Sequence, residues 1–129
     1  MNFYECVSFI LIDDKKVLFE KRRADKEIDP GLIMIPGGHI ENGETELEAL
    51  EREIREELAV TAMQMDYVCS LIHTTTEIQK IHYYLIRSWQ GKIESLEAES
   101  IFWHPVTDVK VLDIVPDRIA MAEYLRLFA

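Results

Sequence analysis

Basic residues are scarce in this chain of 129 residues: 14 Lys and Arg stand against 24 Asp and Glu, for a net charge of −10. That balance argues against a nucleic-acid polymer as partner, because such binding rests on lysine and arginine neutralising backbone phosphates. It leaves room for a small phosphorylated ligand, since a bound metal ion inverts the local field. There are only two cysteines, Cys6 and Cys69, which form no metal-spacing pair and read as reduced thiols of a cytoplasmic protein. No two of His39, His73, His82 and His104 stand at ligand spacing. With 4 prolines and 5 glycines there is no linker, repeat or low-complexity tract. Long apolar runs are missing too. Val7 to Ile12 is interrupted by Ser8 and too short for a signal peptide or a membrane span, and the start, Met1-Asn2-Phe3-Tyr4-Glu5, carries no basic residue. The expectation is one cytoplasmic domain covering residues 1–129, with no membrane partner, as a monomer or as a homodimer joined through strand edges.

What is present is a regular alternation of elements. Tyr4 to Ile12 is β-branched and aromatic enough for a strand, Asp13 to Lys16 breaks it, and Val17-Leu18-Phe19 resumes, so the opening predicts a hairpin. Lys21, Arg22 and Arg23 at its end are candidate phosphate contacts in an otherwise acidic chain. Leu32 to Ile35 reads as a short strand stopped by Pro36-Gly37-Gly38. Thr45 with Glu48 three residues on forms a capping box and opens a helix from Glu46 to Leu58. Leu47, Leu50, Ile54 and Leu58 recur at helical spacing as its apolar stripe. Two further strands, Met65 to Ile72 and Ile78 to Trp89, a short one at Ile101-Phe102-Trp103, and a last helix opened by Pro116 complete the chain. Met121, Leu125 and Phe128 are that helix's expected buried side, and Trp89 and Trp103 read as sheet core. This order implies an α+β or α/β sandwich of helices on a mixed sheet.

The chemistry concentrates on the first helix. Glu53, Glu56 and Glu57 lie at three- and four-residue spacing and project from one face. Like charges stacked this way repel, and a hard divalent cation turns that cost into a binding site. Ala49 falls inside the same arc, where its lack of bulk would let the preceding glycine loop pass close to the helix.

The stretch Gly38, Glu44, Arg52, Glu53, Ile54, Glu56, Glu57 and Val60 resembles the Nudix box, G-x5-E-x7-R-E-U-x-E-E-x-G-U, with both gaps at full length and Ala59 in place of the last glycine. Alanine there costs about 1 kcal/mol if the helix ends in a left-handed residue. The resemblance extends over nearly the whole chain and implies an α/β/α sandwich with a mixed sheet between helices. It also implies a metal-dependent hydrolase of nucleoside diphosphate derivatives. Carried over, Glu53, Glu56 and Glu57 hold Mg2+ or Mn2+, with the backbone carbonyl of Gly37 or Gly38 as an extra ligand. Arg52 orients a carboxylate and Glu44 braces the loop. The general base is Glu53 or a carboxylate of the loop before Trp103, with Glu97 first, Glu99 second and Glu94 third.

Arg23 before the box, the compact length and Pro116-Asp117 resemble the MutT-like nucleoside triphosphate pyrophosphohydrolases. There Arg23 and Gly38 would contact the substrate, and Asp117 would accept hydrogen bonds from a guanine edge, that of an oxidised nucleotide included. Hydrolases of ADP-ribose, nucleotide sugars and dinucleoside polyphosphates are the alternatives; Thr75, Thr76 and Glu77 stand where the marker residues of two of those branches fall. A non-catalytic nucleotide-binding module is the remaining one.

Overall fold

The computed structural model describes residues 2–129, and its framework is a mixed sheet held between two helices. Strand β1 (Phe3–Asp13) turns through Asp14 and Lys15 into β2 (Lys16–Lys21), and both turn residues have positive φ, 48° and 61°. That geometry suits the twist of a two-residue hairpin. Then follow β3 (Ile33–Met34), β4 (Gly37–His39), α1 (Glu46–Leu58), β5 (Thr61–Thr74), β6 (Ile78–Gln90), β7 (Ser100–Pro105) and α2 (Val115–Phe128). The main strand order is β3-β2-β1-β6-β5, with β4 paired to β1 and β7 to β2. Only β1 and β6 run parallel, so the sheet is mixed.

Strand alternation divides the core in two. Cys6 and Ile10 of β1 and Ile81, Tyr83 and Leu85 of β6 face one way, where Ala120, Met121 and Tyr124 of α2 pack on them. Val7, Phe9 and Leu11 of β1 and Tyr84 and Ile86 of β6 face the other way, against Ala49, Leu50, Ile54 and Leu58 of α1. The expected α/β/α sandwich is the observed one.

Helix α1 has the predicted bounds, and both halves of the Thr45–Glu48 capping box are formed. Its stripe differs at one end. Leu47 is 46% exposed, because the first turn runs past the apolar cluster that receives Leu50, Ile54 and Leu58. Ala49 packs in that cluster, and it is the Glu53 carboxylate that lies against the glycine loop, where a side chain on Gly38 would collide with it. The short strand β4 was not expected from its sequence. It exists because glycine lets the backbone lie flat on β1, where a Cβ at Gly37 would strike the Val7 carbonyl and Ser8. Trp103 is not core: it is 37% exposed and stacks on the half-buried Trp89 with ring centroids 6.2 Å apart.

Ala59 adopts φ 63° and ψ 21° and its N–H donates to the Arg55 carbonyl, which closes α1 with a left-handed residue. The Ala59→Gly variant should therefore gain about 1 kcal/mol of stability, read as a higher urea midpoint with an unchanged slope.

Candidate active site

Two of the three carboxylates on the acidic face of α1 are largely withdrawn from bulk solvent. Glu53 and Glu57 are buried to 8% and 7% exposure, while Glu56 lies at the rim. They form one wall of a cleft of about 420 Å³ shared with Gly37, Gly38, Arg52 and Glu97. Its floor is the sheet, through Cys6, Ser8, Ile35 and Ile81. Most of the expected metal, catalytic and loop residues are thus brought to one place by two elements, β4 and α1, and by the loop before β7.

Arg52 ties that wall together. Its Nε and Nη2 donate to both oxygens of Glu44, at 2.6 and 2.9 Å, and Nη2 also donates to the His39 carbonyl at 3.0 Å. Nη1 donates to Glu53 at 2.9 Å and to Glu56 at 3.0 Å. One planar guanidinium thereby holds the glycine strand, the Glu44 loop and two helix carboxylates in fixed relation. The hydrogen bonds to Glu44 first, and then those to Glu53, raise the Arg52 pKa further above its ordinary value.

Glu57 has no such partner. Its Oε2 is buried without a hydrogen bond, and burial first, then the charges of Glu20, Glu53 and Glu97, push its pKa well above the usual carboxylate range. Glu53 is raised as well, by burial that the Arg52 hydrogen bond only partly offsets. The loop carrying Glu97 is docked on the helix end by hydrogen bonds from Glu94 N to Leu58 O and from Leu96 N to Glu57 O, both 3.0 Å. Glu94 and Glu99 lie outside the cleft wall, and Glu99 pairs with Lys21 at 3.3 Å.

Two expected substrate contacts are placed elsewhere. Arg23 is on the exposed turn after β2, with its guanidinium forked onto Asp25 at 3.1 and 3.0 Å. Asp117 is 1% exposed and fastens α2 to the sheet: Ile35 N donates to Oδ2 at 2.9 Å and the Tyr83 hydroxyl to Oδ1 at 2.7 Å. Burial lifts its pKa to about 7, with those two hydrogen bonds opposing. Besides Arg52, the Lys and Arg side chains that line the cleft are Arg22 and Lys26. Arg22 is held there because Nε and Nη2 both donate to the Ile28 carbonyl.

Glu20 is the residue that sequence reasoning missed. It is 4% exposed, lines the cleft, and its pKa is raised to about 7, chiefly by burial, with Arg22 opposing. Alternation from Leu18, which packs on the α1 side, puts Glu20 on that same face and was the available signal.

These residues fit a hard divalent cation. An orphaned buried carboxylate oxygen and two neighbouring carboxylates each giving one oxygen to Arg52, with the backbone of Gly38 pressed against Glu53, offer oxygen donors alone. Among the described residues no three His, Cys, Asp or Glu side chains converge into a complete cage. A hard divalent cation keeps part of its shell for waters and ligand phosphates.

A mixed sheet between two helices, with an acidic helix and a glycine strand edging one cleft, defines a domain built to hold a metal-complexed, phosphorylated ligand. The chain belongs to the Nudix family: the NUDIX domain matches residues 4–128. It is similar to a CTP pyrophosphohydrolase of Escherichia coli K12, 28% identical over 124 residues, covering 95% of this chain and 91% of that protein. An 8-oxo-dGTP diphosphatase of Buchnera aphidicola is 25% identical over 104 residues, covering 80% of this chain and 81% of that protein. Among solved structures, the MutT NUDIX hydrolase of Burkholderia pseudomallei superposes with a TM-score of 0.85 at 22% identity, over 95% of this chain and 98% of that one. That likeness shows the fold.

The raised carboxylates set a pH dependence. Glu20, Glu57 and Asp117 bind protons more tightly folded than unfolded, so the metal-free protein should lose stability as pH rises from about 4.5 towards 7. Urea denaturation in a chelator at pH 5 and pH 7.5 should show the higher midpoint at pH 5. A divalent cation, which favours the ionised form of Glu57, should reduce that difference.

Proposed function

We propose that this chain hydrolyses the diphosphate linkage of a nucleotide, with a nucleoside triphosphate as substrate and a nucleoside monophosphate and pyrophosphate as products, in the cytoplasm. The observation that carries this reading is the buried, unpartnered Glu57 carboxylate in a cleft that also presents Arg22 and Lys26. The names of the relatives point the same way, since both described above act on nucleoside triphosphates.

In this reading Glu53, Glu56 and Glu57 hold Mg2+ or Mn2+, with the Gly37 carbonyl as a further oxygen donor. The ion, when bound, neutralises phosphate charge and lowers the pKa of a water. Glu97, or Glu53 in its stead, accepts the proton of the water that attacks phosphorus, while the anhydride bond breaks and pyrophosphate leaves with the bonding pair. Arg52 keeps Glu53 and Glu56 in place through the contacts it makes now. Arg22 and Lys26 meet the phosphate charge from across the cleft. Glu20 adds negative charge beside Glu57 and strengthens the site's demand for a cation.

A panel of nucleoside triphosphates assayed with Mg2+ for pyrophosphate release tests the reading. Turnover of ADP-ribose or a nucleotide sugar, with none of any triphosphate, would move the assignment to that branch. The Glu57→Gln variant should lose at least two orders of magnitude in turnover. At pH 7.5 without metal it should be more stable than the parent, because a buried unpaired charge is gone. A loss of activity accompanied by a lower denaturation midpoint would count against a direct role for Glu57.

A further inference from the structure

The cleft has two ends of different character, and the end away from the carboxylates carries one buried polar side chain. Along the sheet, Gly38 pairs with Val7, which pairs with His82, while Gln79 lies three residues before His82 on β6. Two strand spacings of about 4.8 Å and three rises of about 3.3 Å separate Gly38 from Gln79 by roughly 14 Å. Between them the floor is Cys6, Ile35 and Ile81, apolar surface on which a flat ring can lie. Gln79 is 8% exposed and closes this end.

The Gln79 amide is oriented by a relay. Its Nε2 donates to Glu77 Oε2 at 3.0 Å, and His39 Nε2 donates to the same oxygen. Glu77 is itself fixed, since its N–H donates to Thr75 Oγ1 at 3.0 Å and its carbonyl accepts from Thr75 N at 2.8 Å. An ionised carboxylate only accepts hydrogen bonds, so an amide beside it must turn its NH2 towards it and its carbonyl away. Burial works against ionisation of Glu77, but the hydrogen bonds from His39 and Gln79 outweigh it and keep its pKa below the ordinary value. Among the described residues Gln79 Oε1 accepts no hydrogen bond from the protein, and it is not sealed from the cleft.

We propose that Gln79 Oε1, aimed by Glu77, accepts a hydrogen bond from the exocyclic amino group of the substrate base, so that the site selects cytosine, adenine or guanine nucleotides over uracil, thymine or hypoxanthine. Gln79 is the specificity-determining contact and Glu77 the positioning residue. A base with a keto oxygen at the same place sets two acceptors against each other, and a base with only hydrogen there leaves Gln79 Oε1 without a donor. This inference rests on the nucleotide reading of the cleft and adds the edge chemistry of the base.

The test compares matched pairs that differ at one amino group, replaced by a keto oxygen in CTP with UTP and ATP with ITP and by hydrogen in GTP with ITP. It reads kcat/KM for the triphosphates and, separately, calorimetric Kd values for the corresponding monophosphates. The parent should favour the amino member of its best pair by on the order of ten- to a hundredfold, the effect of one buried hydrogen bond against an unpaired acceptor. Gln79→Met keeps the side-chain volume and should bring that ratio close to one. Glu77→Gln should also lower it at least tenfold, since a neutral amide no longer dictates which way Gln79 turns; a merely structural role would move overall activity and leave the ratio alone. Equal handling of both members by the parent, or a preference that survives Gln79→Met, overturns the proposal. Amino-selective binding of monophosphates without hydrolysis of any triphosphate would sustain it while refuting the hydrolase reading. Absence of binding to any nucleotide would overturn both.

Discussion

Negative charge packed where little water can reach it is the constraint on which the rest of this structure depends. Glu20, Glu53 and Glu57 are each less than a tenth exposed and line one cleft, where the charges of Glu20 and Glu53 bear on Glu57. Burying carboxylates costs free energy unless they are paired, and here the pairing is incomplete. Arg52 takes up Glu44, Glu53 and Glu56, and nothing takes up Glu57 Oε2. The fold therefore stores an electrostatic deficit at one point, and a divalent cation is the species that removes it.

The architecture exists to hold that point rigid. The apolar side of α1 is sunk in one cluster with β1 and β6, so its carboxylates cannot swing away. Two glycines let β4 press against β1 beside Glu53, and the loop before β7 is tied to the end of α1 by two backbone hydrogen bonds. Asp117 anchors α2 to Ile35 and Tyr83, on the face of the sheet that also carries Cys6 and Ile81, and so steadies the apolar floor of the cleft. Asp117 thus holds Ile35 of the cleft lining in place, and Gln79, held by Glu77, is one of the polar side chains that line the cleft.

Local patterns determined a good deal without any tertiary information. The capping box and helical spacing marked α1 to the residue, and the wheel put Glu53, Glu56 and Glu57 on one face. Both are short-range properties of a 3.6-residue repeat. The hairpin of β1 and β2 was legible for the same reason, because its turn chemistry lies between two β-branched runs. The box residues, their spacing and the family they resemble were equally available, and the left-handed conformation expected at Ala59 is the one observed.

What only the tertiary structure decided depends on distant chain segments meeting. A helical wheel has no axial limit, so it could not show that Leu47 overshoots the core. Arg23 and Arg22 are neighbours in sequence, yet only Arg22 meets the Ile28 carbonyl that turns it into the cleft, while Arg23 meets Asp25. Glu20 gains its raised pKa from burial beside residues in other elements, and Asp117 gains its two donors from partners 82 and 34 residues away. Charge, burial and hydrogen-bond partners are properties of a place in space. The sequence named the acidic helix; the packing of the sheet decided which side chains surround it and line the cleft.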